Sequence, residues 1–486
     1  MLEGLLTLDR AASVPLPDQI YRGVRDAVRA GRLSAGAVLP SSRRLAETLA
    51  VSRNTVTAAY ELLAAEGVIE VRRGAAPRVC GHDRDPVAAA ALSDATPAVG
   101  LSARGKDLSR LPWAAPDRAR AKRLEPGTPA IDVFPRDEWA RALRRAARRP
   151  DRREVLYAQT SGLDRLRAAL AVYLASERGV RAEPSQILVT PSTQASLFLL
   201  ATCLADPGET VWLEDPGYLG ARAAFLGAGL TIVPMPVDDQ GADPSAMAGA
   251  PAPRLVYVTP SHQYPTGVTM PLARRLAVLE QARHAGGLVV EDDYDSEFLF
   301  EGRPVAALQG LSGGGEAVYL GTFAKSLLPG LRVAYMVVPA QLAPDLAAAQ
   351  RAAGLYANVA TQGALAEFLE TGRYRAHVKR IRTVYRGRGL AMAEALRRAV
   401  GNLGQVADPT GGVQLTLRFD ASRDDVAIAE ALQARGFGVA ALSTYALATD
   451  APASPVSGLV IGFADATETD VAEIARAVAA ALAVAE

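Results

Sequence analysis

The chain has 486 residues, of which 49% are hydrophobic and 22% charged, so it can bury more than one core and is too long for one ordinary domain. Its formal net charge is only +1, and residues 1–80 carry eleven Arg, no Lys and eight Asp/Glu and so net +3 against −2 for the rest, so charge alone supports nucleic-acid binding only weakly. Cys80 and Cys203 make no disulfide framework and show no metal spacing, the start lacks a basic leader, and no apolar run approaches the ~18–20 residues that span a bilayer. The expectation is a cytoplasmic protein with at least two folded units, no metal and no membrane contact.

Ile20, Val24, Ala27 and Val28 recur at helical spacing, which predicts an amphipathic helix stopped by Gly31. Pro40-Ser41-Ser42 caps a second helix over Arg43 to Leu49. A turn at Ala50-Val51 leads to Ser52, an N-cap for a third helix with Val56, Ala59, Tyr60 and Leu63 on one face and Gly67 at its end. Arg53, Asn54, Thr55 and Thr57 lie on or near its opening turn, where side chains and backbone N–H groups can meet phosphates and base edges in a major groove. Val68-Ile69-Glu70-Val71 and Arg78-Val79-Cys80 then predict a hairpin with Arg72 and Arg73 at its tip, completing a winged helix-turn-helix.

Leu39-Pro40-Ser41-Ser42-Arg43, Ser52-Arg53-Asn54-Thr55-Val56 and Glu66-Gly67 resemble the DNA-binding domain of the GntR family over most of residues 15–80. The resemblance implies double-stranded DNA as partner, with Arg43, Ser52, Arg53 and Thr55 at the DNA and Arg72 and Arg73 in the wing. The family's wing tip is usually glycine-rich, whereas Gly74 is followed here by Ala75-Ala76-Pro77. The DNA-binding domain is placed at 1–80. Residues 81–115, rich in Ala, Pro, Ser and Asp, have no sustained apolar period and are expected to be a linker. Residues 116–153 hold twelve Lys/Arg against six Asp/Glu, but Trp139, Leu143 and Ala147 form an apolar stripe, so an ordinary helix with a solvated basic face is expected.

Downstream, apolar runs at 186–189, 210–213, 255–258, 288–290 and 318–320 alternate with helical stretches, which predicts a mainly parallel sheet covered on both faces, with ligands at the carboxyl ends of its strands. The chemically loaded residues follow those runs. Ser192 and Thr193 open a helix after the first, Tyr218 follows the second, Asp292 and Tyr294 the fourth and Lys325 the last. Pyridoxal phosphate requires a lysine for a Schiff base, a carboxylate for the pyridine nitrogen, a phenol for the ring oxygen, and hydroxyls with an arginine for the phosphate. Lys325, Asp292 and Tyr294 fill the first three roles, Tyr218 lies against the ring, and Ser192, Thr193, Thr322 and Arg332 hold the phosphate.

Pro260-Ser261-His262-Gln263-Tyr264-Pro265-Thr266-Gly267, Glu291-Asp292-Asp293-Tyr294-Asp295-Ser296-Glu297-Phe298 and Thr322-Phe323-Ala324-Lys325-Ser326 resemble the fold type I aminotransferases. With the head, nearly the whole chain is similar to the MocR/GabR regulators. The resemblance implies an α/β aminotransferase-like domain over 116–486, with a smaller C-terminal α+β subdomain from about 345. It also implies a head-to-tail homodimer in which each head packs on the other protomer's body. Three positions depart from the pattern. Tyr264 stands where aminotransferases have an asparagine, Ala324 where related regulators often have serine, and Val460 where the α-carboxylate of a substrate meets an arginine; Arg222 and Arg435 are candidate substitutes. These departures weigh against efficient transamination more than against cofactor binding. The expected function is a regulator that senses a small amine, an amino acid or pyridoxal phosphate itself; an active aminotransferase with an accessory DNA-binding head is the alternative.

Overall fold

The computed structural model describes residues 6–10, 12–72, 75–80, 100–111, 122–148, 154, 156, 161–302, 305–447 and 456–484, and the chain forms two compact units, Met1–Gly100 and Leu101–Glu486. In the first, α1 (Leu16–Arg29) buries Ile20, Val24 and Ala27. Ser41 caps α2 (Ser42–Leu49) by accepting from the Arg44 N–H, and Ala50 turns the chain at a φ of 49°. Ser52 caps α3 (Arg53–Ala65), accepting from the Thr55 N–H at 3.1 Å. Strands β1 (Ile69–Glu70) and β2 (Arg78–Val79) pair antiparallel, with Ile69 opposite Val79. One apolar cluster joins Ile20, Val24, Leu45, Val56, Leu63 and Ile69, so three helices and the hairpin share a core. The first strand is shorter than the run Val68 to Val71 suggests, and Val71 is exposed.

The second unit opens with a correction. Within the expected linker, residues 103–110 form a helix, α4 (Ala103–Arg110), capped by Ser102. Its Leu108 approaches so closely that a Cβ on Gly227 would lie 3.0 Å from it; one leucine against a glycine leaves no periodic signal. Helix α5 (Arg136–Arg148) buries Trp139 and Ala142 with Leu143 half-buried, whereas Ala147 is exposed, so the stripe runs through residue 142 and not 147. Arg144, Arg145 and Arg148 are solvated as expected, with Arg145 paired to Glu367; Arg149, Arg152 and Arg153 lie outside the described residues.

After α6 (Asp164–Arg178) the chain alternates β3 (Ile187–Thr190), α7 (Thr193–Leu204), β4 (Thr210–Asp215), α8 (Leu219–Ala228), β5 (Thr231–Asp238), β6 (Gly241–Ala242), β7 (Pro253–Val258), α9 (Leu272–Ala285), β8 (Leu288–Asp293), β9 (Ala317–Thr322) and β10 (Ala334–Val337). These strands form one sheet in the order β3-β10-β9-β8-β7-β4-β5-β6. Strands β9, β8, β7, β4 and β5 are parallel, while β10 runs antiparallel to both β9 and β3. Ala334 faces both Thr190 and Thr322, so β3 ends at the same edge of the sheet as the parallel strands. Alternate residues take opposite faces: Ile187, Val189, Tyr319, Tyr335 and Val337 pack on one, Leu188, Val318, Leu320 and Met336 on the other.

The remainder comprises α10 (Ala343–Ala352), α11 (Val359–Glu370), the long α12 (Arg373–Val400), β11 (Gly404–Val406), β12 (Gln414–Phe419), α13 (Asp425–Ala434), β13 (Ala440–Ala441), β14 (Gly458–Gly462) and α14 (Glu468–Val484). Its four strands form a second sheet, β11-β12-β14-β13, against α12, α13 and α14. Residues 122–130 join this C-terminal part: Leu124 and Ala130 enter its core, and the Gly462 N–H donates to Leu124 O at 2.9 Å. A Cβ at Gly462 would sit 2.4 Å from the backbone oxygen of Glu125. Because the obstacle is backbone, Gly462→Ala is expected to destabilise the second unit by about 1–3 kcal/mol, seen as a lowered urea midpoint; an unchanged midpoint would contradict this packing.

Candidate functional site

The common strand edge brings the loops after β3, β4, β7, β8 and β9 around one cavity of about 670 Å³. Ser192, Thr193, Tyr218, Asp292, Tyr294, Thr322, Lys325 and Arg332 all line it. Lys325 reaches in from the loop after β9, and its Nζ donates to Gly127 O at 2.6 Å. Gly127, at a φ of 82°, leaves that space open: a Cβ there would lie 2.6 Å from Nζ. Helix α12 braces the lysine loop from behind, with the Tyr385 hydroxyl donating to Lys325 O and the Tyr374 hydroxyl to Ser326 Oγ. Ser192 Oγ accepts from the Ala195 N–H and Thr322 Oγ1 from the Ala324 N–H, so each hydroxyl is oriented by backbone and retains its own proton to donate. Arg332, at a φ of 53°, is exposed at the rim.

The buried centre is Asp292. One oxygen, Oδ2, accepts from the Tyr257 hydroxyl at 2.7 Å, while Oδ1 is buried with no hydrogen-bond partner among the described residues. Burial pushes its carboxyl up to about 7, against the Tyr257 hydrogen bond. Burial likewise pushes the Lys325 ammonium below the ordinary lysine value, opposed by Asp295, Asp292 and Glu125. Next along the strand, burial works against ionisation of Asp293, but Arg178 and the Tyr319 hydroxyl outweigh it and hold the carboxyl low. The Arg178–Asp293 pair is sealed from solvent at 2.7 Å.

Several residues of the site carry no obvious sequence signal. Tyr257 sits inside β7 and reads as core, and Gln194 and Thr259 line the cavity beside the expected residues. Tyr264 is an aromatic hub, with ring centroids 5.5 Å from Tyr218, 5.9 Å from Tyr294 and 5.4 Å from Tyr445. His262 lies 3.1 Å from the Tyr294 hydroxyl; its signal was its place in the 260–267 motif, to which no role was attached. Val460 is fully buried beside Leu219, Leu442 and Tyr445. Neither candidate arginine faces the cavity: Arg435 lines a separate groove of about 410 Å³ between α13 and α14, and the cations on the cavity wall among the described residues are Lys325 and Arg332.

In the first unit, Arg43, Ser52, Arg53 and Arg72 are exposed and Thr55 is half-buried. Ser52 and Thr55 bond each other through their hydroxyls at 2.8 Å while Ser52 caps α3, which fixes the turn that carries Arg53. Arg43 pairs with Glu47 and Arg72 with Glu70, both at the surface. Arg73 lies outside the described residues.

Residues 129–478 match the family Aminotransferase class I and II, and residues 16–79 match the bacterial regulatory proteins of the gntR family. The chain is 38% identical over 462 residues, 95% of this chain and 92% of the relative, to the probable rhizopine catabolism regulatory protein MocR of Rhizobium meliloti. The chain belongs to the MocR-type transcriptional regulators. It is also 32% identical over 452 residues, 92% of each chain, to the HTH-type pyridoxine biosynthesis transcriptional regulator PdxR of Corynebacterium glutamicum. Among solved structures, the alpha-aminoadipate aminotransferase LysN of Thermus thermophilus, complexed with N-(5'-phosphopyridoxyl)-L-leucine, matches with a TM-score of 0.68 at 28% identity, over 79% of this chain and 95% of that one.

Pyridoxal phosphate is the cofactor of this fold, and the donor set fits it: a half-buried amine, an acid oxygen without a partner, two oriented hydroxyls and a rim arginine share one cavity. Among the described residues no group of His, Cys, Asp and Glu could hold a metal ion, and no helix is long and apolar enough to cross a membrane. Because only the neutral amine attacks an aldehyde, covalent loading of Lys325 is expected to speed up with pH through a midpoint below that of free lysine. Asp295→Asn removes a carboxylate that favours the ammonium, so the midpoint is expected to fall further. Stopped-flow absorbance across pH checks this, and a midpoint at the free-lysine value in both proteins would contradict it.

Proposed function

We propose that the chain regulates transcription by binding duplex DNA through its gntR-type unit and sensing a small amine, an amino acid or pyridoxal phosphate itself at the Lys325 cavity. The observation that carries this reading is the unpartnered Oδ1 of buried Asp292 in the same cavity as the Lys325 amine. In this reading Asp292 meets the ring nitrogen, Tyr294 the ring oxygen and Tyr218 the ring face, while Ser192, Thr193, Thr322 and Arg332 hold the phosphate. Bound there, the cofactor supplies an aldehyde carbon open to primary amines and a ring able to take up electrons. Lys325 supplies the resident amine, and Asp292 supplies the charge that keeps the ring nitrogen protonated. On the DNA side, Arg53 on the first turn of α3 reads the groove, with Arg43, Ser52, Thr55 and Arg72 around it. A head-to-tail homodimer in the cytoplasm completes the proposal; an effector that binds one arrangement of the dimer better than another shifts its population and thereby its affinity for DNA.

A working aminotransferase is the second reading, favoured by 34% identity over 293 residues to a 2-aminoadipate transaminase of Thermus thermophilus. The two readings separate in the visible spectrum of the loaded protein during addition of single amines and amino acids. A band that one amine shifts and holds supports the sensor. Rapid loss of the band, reversed by a keto acid, establishes the enzyme, and no response to any amine points to the cofactor as the signal. Lys325→Ala is expected to abolish the band of the lysine-bound cofactor; a band retained in the variant would overturn the site. Arg53→Ala is expected to weaken operator binding by about 1–3 kcal/mol, measured by fluorescence anisotropy, and unchanged affinity would move the recognition surface elsewhere.

A further inference from the structure

Tyr294 has more hydrogen-bonding neighbours than a phenol serving one ring oxygen requires. Its hydroxyl lies 2.9 Å from His262 O, 3.1 Å from His262 Nδ1 and 3.2 Å from Gln414 Nε2, which donates to it. His262 Nδ1 is also 3.0 Å from Asp295 Oδ2. His262, Asp295 and Gln414 are 6%, 1% and 2% exposed. The imidazole is seated between two left-handed glycines. A Cβ on Gly412, at a φ of 77°, would lie 2.3 Å from His262 Cε1, and one on Gly267, at 81°, would lie 3.1 Å from Nε2. The two glycines leave room for the ring where a larger residue would meet it.

Two of these groups come from the C-terminal part. Gln414 begins β12, Gly412 lies two residues before it, and on the same strand Thr416 Oγ1 donates to Pro265 O at 2.8 Å. The seam beside them is not packed solid: a cavity of about 820 Å³ lies there, lined by Asp238, Thr266 and Gly267 from one side and Gln405, Pro409 and Thr416 from the other. Near Tyr294, β12 thus meets the cofactor wall through the Gln414 and Thr416 hydrogen bonds, while the segment before it is tied by the Gly412 N–H to Phe298 O.

Building on the reading that Tyr294 faces the cofactor's ring oxygen, we propose that His262, Asp295 and Gln414 are positioning residues that hold the Tyr294 phenol in place, and that Gln414 makes this hold depend on where the C-terminal subdomain sits. Gln414 donates to the phenol oxygen, while the phenol's own proton points to His262 O and has to turn from that carbonyl to reach the cofactor. The charged and titratable groups around the phenol are Asp292 and Asp295 from its own segment, His262 and Tyr264 from the loop after β7, and Lys325 from the loop after β9, itself facing Glu125. Burial and Asp295 both keep the phenol protonated. A phenol donating to the ring oxygen draws charge from it, so the neighbouring lysine-linked nitrogen holds its proton less well.

The test is a pH titration of the visible band in the loaded full-length protein. Tyr294→Phe is expected to raise the midpoint by about one pH unit, a tenfold change in proton affinity. His262→Asn and the volume-matched Gln414→Met are expected to raise it by smaller amounts, and to add nothing in the Tyr294→Phe background. Thr416→Val, which loosens β12 without touching the phenol, is expected to move it the same way. Retention of the band shows that each variant is folded and loaded. Unmoved midpoints in the His262 and Gln414 variants, or shifts that persist in full beside Tyr294→Phe, would overturn the positioning role. An unmoved midpoint in Thr416→Val alone would overturn the dependence on the subdomain. If Tyr294→Phe itself changes nothing, the placement of Tyr294 at the ring oxygen fails and the proposal falls with it, while Lys325 and Asp292 keep their assignment.

Discussion

A carboxylate buried at the end of a β-strand is costly unless its surroundings replace the water it lost, and β8 ends in a row of them. Glu291, Asp292, Asp293 and Asp295 are all nearly inaccessible. Glu291 lies 3.6 Å from Arg275 and accepts from the Gln309 N–H. Asp293 is paired with Arg178 and accepts from the Tyr319 hydroxyl. Asp295 faces His262. Asp292 differs from its neighbours in that it alone lines the wall of the Lys325 cavity, held on one side by Tyr257 and open on the other. Arg178, Arg275 and His262 thus partner the neighbouring acids, and Tyr257 partners Asp292 itself.

The sheet makes that arrangement possible. Parallel strands deliver their carboxyl ends to one edge, and the reversed strand β10 lets β3 deliver Thr190 there as well. Hydroxyls oriented by backbone N–H groups then stand opposite the acid and the lysine, with Arg332 at the rim. In the gntR-type unit a small core fixes α3 and leaves Arg53 and Asn54 of its first turn exposed, with the backbone set by the Ser52 cap.

Much of this was legible from residue order. Apolar runs alternating with helical stretches located the strands after which Ser192, Tyr218, Asp292 and Lys325 stand, and a helix cap followed by polar residues located Arg53. What escaped had physical reasons. Strand β10 is four residues long and reversed, and no local pattern encodes strand direction. Helix α4 contributes one leucine to a glycine-lined contact. Tyr257 is indistinguishable from a core aromatic until Asp292 is seen beside it. Gln414 lies 120 residues from the phenol it donates to, and only tertiary folding brings the two together.

The departures from an ordinary transaminase now have a setting. Val460 sits in an apolar cluster with Leu219, Leu442 and Tyr445, and Tyr264 fills the cavity wall with an aromatic ring. Among the described residues the cations on the wall of that site are Lys325 and Arg332, and neither Val460 nor Tyr264 can form a bidentate, charge-assisted pair with a carboxylate. Whether that site governs DNA binding is tested most directly by one titration. An operator fragment selected from random duplexes by the full-length chain would be titrated with cofactor-loaded wild type and with Lys325→Ala, each with and without an amine that shifts the visible band. If recognition at Lys325 controls the head, the amine changes operator affinity of the wild type by about 5–150-fold and leaves the variant unaffected. Equal affinities in all four titrations would contradict that control.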